Sequence, residues 1–326
     1  MDNLTHSLVG ALIGQAGLKR RTGLAMPALI VGANLPDVDA ACFFWLDGVQ
    51  HLGFRRGITH GPIAWVLLPL ILAGALWWFD RWQTRRGTRP EGRLPVRFGW
   101  LYALAFIACL SHPALDWLNS YGIRLLEPFS HRWFYGDTLF IIDVWLWALM
   151  GFATWFSLRR EKRGGEWQRP ARVALIMAAG YIGLNGAITW LDRQVHGVMA
   201  EPYPAEVIAA PLPFIFWERE RIIRLHDGRW LSSDWSGDAD PYGYHTSQSI
   251  QCRMPDAKRL ADNRNLWAFL FWSRAPFAER AADGSVVIRD ARFYDPRARD
   301  RFSVALPDVR CEPIPSTVRT EETPRP

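Results

Sequence analysis

The chain has 326 residues, 49% of them hydrophobic, and a formal net charge of +6. A mean hydropathy of −0.06 suits a globular protein, and a sequence pI of 9.4 invites a nucleic-acid reading. Both averages conceal two unlike parts: residues 1–200 carry 20 Lys/Arg against 13 Asp/Glu and all the long apolar runs, while residues 201–326 carry 18 against 19. In the first part the basic residues sit in short loops between apolar runs, the positive-inside pattern of a membrane protein, so the charge does not argue for a nucleic-acid partner.

Met1-Asp-Asn has no basic n-region and no Ala-x-Ala site follows, so a signal peptide is not expected. Leu8–Leu18 and Leu24–Leu35 are apolar but short, and read as tilted spans or as a re-entrant pair. Pro62–Phe79, Gly99–Leu118, Leu139–Leu158 and Ala171–Leu191 are 18 to 21 residues long, close to what a spanning helix needs. Four runs of that length argue against a buried soluble core. There is no internal repeat and no low-complexity tract. The later residues read as strands and turns. Arg221–Leu225 and Arg229–Leu231 flank an Asp227-Gly228 turn; Trp267–Trp272 and Ser285–Arg289 look strand-like, with Asp283-Gly284 between them; Arg301–Leu306 is a further strand. The expected fold is therefore a membrane α-helical domain of about four to six embedded helices (1–192), a small mainly-β extramembrane domain (193–312) and a disordered tail (313–326). His226 and His245 read as turn or surface residues.

Charge sets the topology. Lys19, Arg20 and Arg21, then Arg81, Arg85, Arg86, Arg89, Arg93 and Arg97, then Arg159, Arg160, Lys162, Arg163, Arg169 and Arg172 fall on one side; the other side carries only Arg55, Arg56, Arg124 and Arg132. The basic side should be cytoplasmic. Alternating crossings then put His6, Asp37, Asp39, His60, His112 and Asp116 on one non-cytoplasmic face, with residues 192–326 outside as well. An ionisable side chain at membrane depth is costly, and a His/Asp set is what a divalent metal would satisfy. Each residue has a plainer reading alone: His6 as an interfacial histidine, Asp37 and Asp39 as helix-stop and N-cap carboxylates, His60 as the residue before a Pro-started helix. His112 and Asp116 are one turn apart and can share a face, although Pro113 could break the helix between them. Their common face joins the six into one candidate metal site. Cys42 and Cys109 lie in or near apolar segments; Cys252 and Cys311, in the domain expected to be outside, could form a disulfide.

Met1–His6, Leu35–Asp39, Arg56-Gly-Ile-Thr-His60, Ser111–Gly122, Pro128-Phe-Ser130 and Asp143 together resemble the YdjM-like family of bacterial inner-membrane proteins, over roughly residues 1–160. The resemblance implies a membrane-embedded helical domain, a divalent-metal-dependent hydrolase, and His6, Asp37, Asp39, His60, His112 and Asp116 as ligands. The pattern is also similar to that of zinc-dependent phospholipase C enzymes. One departure stands out: the family often has His-Arg-Gly before Thr-His, where this chain has Arg55-Arg56-Gly57.

The chemistry expected of such a site is hydrolysis of a phosphoester or lipid-type bond by one metal or two, zinc first, with manganese or magnesium as alternatives. Asp39 or Asp116 would take a proton, Arg55 and Arg56 would bind phosphate or simply meet headgroups, Asn119 and Tyr121 would position substrate, and Asp143 would support a ligand histidine from outside the site. The expected partner is membrane lipid, not nucleic acid; protein partners are left open. Two non-hydrolytic readings compete: a structural metal, and an ion- or proton-coupled transporter, since intramembrane His/Asp also mark ion paths.

Overall fold

The computed structural model describes residues 1–199, 206–232, 250–255, 263–295 and 298–314, apart from the side chains of 196–199. His245 and all of the expected tail beyond residue 314 lie outside the described residues. The chain divides into two compact units. The first comprises Met1–Phe44, Phe54–Gln194 and Ala209–Arg219; the second comprises Trp45–Gly53, Val195–Ile208 and Glu220–Pro326.

The first unit is built on helices: α1 (Asn3–Gln15), α2 (Ala25–Asn34), α4 (Pro62–Arg85), α5 (Phe98–Trp117), α6 (Val144–Lys162) and most of α7 (Gln168–Met199); the short α3 (Gln50–Phe54) lies between α2 and α4 in sequence and falls mostly in the second unit. Asp2 starts α1 by accepting from the Leu4 and Thr5 N–H groups. Gly10 lets α1 and α2 meet, because a Cβ there would stand 2.5 Å from the Leu29 carbonyl oxygen. Leu29, Ala33, Ala73, Leu101, Leu104 and Ala108 close one core, and Leu12, Leu139, Leu146, Met150, Ala171 and Ala174 close another.

Among the described residues four stretches are long and apolar enough to cross a bilayer: Ala25–Phe44, Pro62–Arg85, Phe98–Trp117 and Gln168–Val195. Two differ from the sequence expectation. The second short segment gains length because a 3-10 stretch, Leu35–Phe44, continues α2. The segment expected at Leu139–Leu158 instead forms α6 five residues later. Asp143 fixes that start as the N-cap, accepting from the Leu146 N–H at 2.9 Å, and the shift draws Arg159, Arg160, Glu161 and Lys162 into the last turn. Asp143 also accepts from the Tyr181 hydroxyl at 3.0 Å; it holds a helix start and not a ligand histidine.

The helices share a polarity. The turn after α1, the α4–α5 connection and the α6–α7 connection meet at one end. There Lys19 pairs with Glu161, Arg172 donates to the Ala16 carbonyl, the Arg97 N–H donates to Thr22, and Lys19 and Arg20 cover the Trp167 ring. The starts of α1 and α4 and the end of α5 form the opposite end.

The described residues also form two antiparallel sheets, the second of them wholly in the second unit. One has the order β1 (Glu206–Pro211), β2 (Arg219–Arg224), β3 (Trp230–Ser232); the other is a meander of β4 (Gln251–Cys252), β5 (Pro276–Arg280), β6 (Ser285–Asp290) and β7 (Ser303–Arg310). The Asp227-Gly228 hairpin forms as expected, with Arg224 opposite Trp230, and so do the strands at Ser285 and Ser303. Trp267–Trp272 does not form a strand. It belongs to α8 (Arg264–Trp272), which Asn263 caps by accepting from the Leu266 N–H. Leu266, Phe269 and Trp272 recur at helical spacing and are buried, so the aromatic run that resembles a strand is one face of a helix. Cys252 and Cys311 are joined by a disulfide, their Cα atoms 5.4 Å apart. Asp290 and Arg292 form a fully buried ion pair at 2.7 Å, with Ser273 donating to the same carboxylate. Burial opposes the Asp290 charge, but Arg292 and these donors hold its carboxyl below the ordinary range.

Removing one member of a buried pair leaves the other charge uncompensated. Asp290→Ala should destabilise the second unit by about 3–5 kcal/mol, read as protease sensitivity and a lowered thermal transition of the detergent-purified full chain. Because the folded carboxyl titrates below its unfolded value, wild-type stabilisation from this pair is present above roughly pH 4 and is lost only as pH falls through the depressed folded value.

Candidate metal centre

The site is built at the ends of helices. Pro62 opens α4 and Gly61 precedes it; a Cβ on Gly61 would fall 1.9 Å from the Glu127 carbonyl oxygen, so only glycine brings His60 into place. Pro113 does not break α5, which runs through it to Trp117 and keeps His112 and Asp116 on one face, Nε2 to Oδ2 3.5 Å.

Hydrogen bonds assign the protons on both histidines. His112 Nδ1 lies 2.7 Å from the Ala33 carbonyl, which can only accept, so Nδ1 carries the proton and Nε2 the lone pair. Thr59 Oγ1 lies between Asp39 Oδ2 at 3.3 Å and His60 Nδ1 at 2.9 Å; with its hydrogen on Asp39 the hydroxyl oxygen accepts from Nδ1. His60 therefore also presents an Nε2 lone pair, and burial lowers its pKa from the ordinary 6.5, favouring the neutral ring. The two Nε2 atoms face each other at 3.2 Å, and in that tautomer no proton lies between them. Asp116 Oδ2 completes the group, 3.6 Å from His60 Nε2; Arg56 Nε forms an ion pair with it at 3.1 Å without hydrogen-bond alignment. Three acceptors at separations of 3.2, 3.5 and 3.6 Å share a centre roughly 2.0 Å from each, the length of a Zn–N or Zn–O bond. The residues fit a divalent cation.

A second His/Asp group, His6, Asp37 and His112, overlaps the first. It converges less well. The His6 and His112 rings stack at 3.7 Å and 15°, so their in-plane lone pairs run side by side, whereas the His60 and His112 rings meet at 61°. His112 has one lone pair and cannot serve both groups at once. His6 is fully buried, both its ring nitrogens lack a hydrogen-bond partner, and Nε2 stands 3.4 Å from Asp116 Oδ1. A nearby cation would satisfy that orphaned ring.

The family model of the YdjM inner membrane protein matches residues 1–190, more than half of the chain. The chain belongs to the YdjM inner membrane protein family. A Bacillus subtilis (strain 168) relative described as "Uncharacterized protein YfhP" is 24% identical over 228 residues, 67% of this chain and 64% of the relative's length. No solved structure matches.

Within this YdjM-family chain the remaining candidates surround the ligands. Asp39 stands outside both His/Asp groups. Its Oδ2 accepts from the Arg56 N–H at 2.7 Å and from Thr59, and its Oδ1 faces Arg55 Nε at 3.3 Å. Arg56 is buried at φ 55°, a left-handed backbone that costs a non-glycine residue roughly 1–2 kcal/mol. That turn lets its N–H reach Asp39 while its guanidinium donates to Asp116 Oδ1 at 3.2 Å, Asn119 Oδ1 at 3.1 Å and the Gly122 carbonyl. Tyr121 lies against the same guanidinium, 4.6 Å from the ring centre, and its N–H donates to Asn119. Asn119 and Tyr121 thus hold Arg56. Arg55, a quarter exposed, bridges Asp37 at 2.9 Å and Asp39; it occupies the place where the family resemblance expects a histidine. The Met1 amino group contacts Asp116 Oδ1.

Sequence reading missed two positioning contacts. The Ala33 carbonyl is backbone and carries no residue-type signal. Thr59 is visible beside His60, but only the fold shows its hydroxyl linking that ring to Asp39. Removing such an orienting group typically weakens metal affinity 10–100-fold. Thr59→Val should therefore lower divalent-cation affinity by about that factor without removing a ligand, as measured by competition with a chromogenic chelator.

Proposed function

We propose that the chain is a membrane-embedded, divalent-cation-dependent hydrolase of phosphoester or lipid-type bonds, working at the outer face of the inner membrane with the second unit on the periplasmic side. One observation carries the metal reading: His60 Nε2, His112 Nε2 and Asp116 Oδ2 converge within 3.6 Å of one another, with the His112 proton committed to the Ala33 carbonyl. Zinc suits two imidazoles and a carboxylate at these separations; manganese and magnesium are the alternatives. When bound, such a cation makes water a nucleophile near neutral pH and draws charge from a phosphoryl or carbonyl oxygen. The chain's own residues do the rest. Thr59, Asp39 and the Ala33 carbonyl aim the imidazoles, and Arg56 fixes Asp116. Arg55, at the part-exposed rim, is placed to meet an anionic substrate oxygen. The outer-face assignment rests on the basic end described above, since the site lies at the other end of the same helices.

A second reading has its own support. His6, His60 and His112 are fully buried and Asp116 nearly so, as in a closed site where a metal merely ties helix ends together.

Metal analysis of the detergent-purified protein should find bound divalent cation in the wild type and its loss in His60→Ala, His112→Ala; full retention in the double variant would remove the site. Metal-loaded protein should then turn over a phosphoester or phospholipid in a panel assay, and Asp37→Ala should be slower. Bound metal without turnover above that variant selects the structural reading. Thiol labelling of intact cells tests the sidedness: an impermeant maleimide should reach a cysteine at His226 and not one at Thr88, and the opposite pattern inverts the topology.

A further inference from the structure

The second unit holds a cavity of about 420 Å³ that contains none of the metal-site residues. Its size is within the roughly 300–1,000 Å³ typical of small-ligand sites. The walls come from both sheets. Trp230 on β3 and Cys252, Phe277 and Ala278 on β4 and β5 are all buried and form apolar surface. The Gln251 side chain stitches the two sheets together: its amide donates to the Trp230 carbonyl at 2.6 Å and its oxygen accepts from the Trp230 N–H at 3.0 Å. The Cys252–Cys311 disulfide ties down the same edge, where the Arg253 N–H donates to the Glu312 carbonyl.

Three arginines line this space: Arg224 at the end of β2, Arg253 just after β4 and Arg274 just before β5. The one acidic lining residue, Asp227, is engaged by Arg229, whose Nε is 2.7 Å away and whose N–H also donates to it. Arg274 pairs with Glu206 at 3.2 Å. Among the described residues neither Arg224 nor Arg253 has a carboxylate within ion-pair distance; Arg224 lies 6.0 Å from the centre of the Trp230 ring. Two guanidinium groups without a carboxylate partner among the described residues line a partly apolar, disulfide-braced cavity, and each offers the planar fork that binds tetrahedral oxyanions.

We propose that this cavity is a second ligand site, separate from the metal centre, and that it binds a phosphate group through Arg224 and Arg253, with the carbon part of a phosphoester resting on Trp230 and Phe277. The phosphate could be carried by a lipid headgroup or by a water-soluble phosphoester. The positive rim and apolar walls recognise what the two sources share.

The test uses the full chain in a phosphorus-free maltoside detergent, with a chelator present so that the metal centre cannot contribute. Binding of inorganic phosphate, glycerol phosphate and short-chain dihexanoyl phosphatidic acid is followed by ³¹P line broadening. Wild type should bind glycerol phosphate, and Arg224→Gln, Arg253→Gln should weaken that binding about tenfold or more. Both positions are exposed, so the fold should survive; an intact Cys252–Cys311 disulfide and unchanged protease resistance confirm it. The conservative pair Arg224→Lys, Arg253→Lys should bind at intermediate strength, keeping charge and losing the fork. Phosphatidic acid binding tighter than glycerol phosphate indicates a lipid-borne group, and equal binding indicates a soluble one. Affinity unchanged in the glutamine variant, or no broadening in wild type at ~10 mM ligand, overturns the proposal.

Discussion

Two histidine lone pairs and a carboxylate oxygen are driven toward one point in the helical unit, and much of the local structure serves to hold them there. Like acceptors do not face each other at 3.2 Å unless the surroundings over-determine their orientation. Here they do. The Ala33 carbonyl at the end of α2 fixes His112, the Thr59–Asp39 pair fixes His60, and Arg56 holds both oxygens of Asp116. Each contact joins a different stretch of chain, so the same bonds that aim the donors also tie together the 3-10 stretch at Leu35–Phe44, the turn before α4 and the end of α5. Gly61 and the left-handed Arg56 are what this packing requires of the backbone.

Charge balance makes the same point independently. The site gathers three carboxylates, Asp37, Asp39 and Asp116, against two guanidinium groups, Arg55 and Arg56. His60 is held neutral by burial. The Met1 amino group adds little lasting charge near pH 7, because burial lowers its pKa to about 6 even with Asp116 beside it. One negative charge is therefore left over in a buried region of a membrane-family protein, where unpaired charge is expensive. A divalent cation reverses the balance to net positive, and that favours an anionic substrate over a neutral one.

What the sequence made legible follows from how each signal is carried. The spans at α4, α5 and α7 rest on composition over about twenty residues, which local detail does not override. The clustering of His60, His112 and Asp116 is legible because such residues are unusual at helix ends in an apolar context, and because parity places them on one face. The failures came from shorter-range signals. Asp143 read as a support for a ligand histidine and is an N-cap, and that one side chain moved the start of α6 by five residues. Trp267–Trp272 read as a strand because β-propensity favours aromatics, while the cap at Asn263 and the buried positions 266, 269 and 272 decided for a helix. Asp39 is a ligand candidate by residue type; the contacts of its oxygens with Arg55, Arg56 and Thr59 have no local sequence signal.

Access separates a metal that reacts from a metal that only binds. The three histidines are sealed, but the site is not sealed on every side: Asp37 and Arg55 keep part of their surface exposed and form its rim. Asp37 Oδ1 is shared between Arg55 Nη2 at 2.9 Å and the direction of His112 Nε2 at 3.9 Å. A cation that drew on Asp37 would compete with Arg55 for that oxygen and loosen the guanidinium at the rim. The freed fork would then stand where a phosphoester oxygen enters. In a purely structural centre the pair would gain nothing from this arrangement, since a carboxylate locked to arginine at the surface adds little stability. The position of Arg55, where the family resemblance expects a histidine, is thus where the catalytic and the structural readings of the site part.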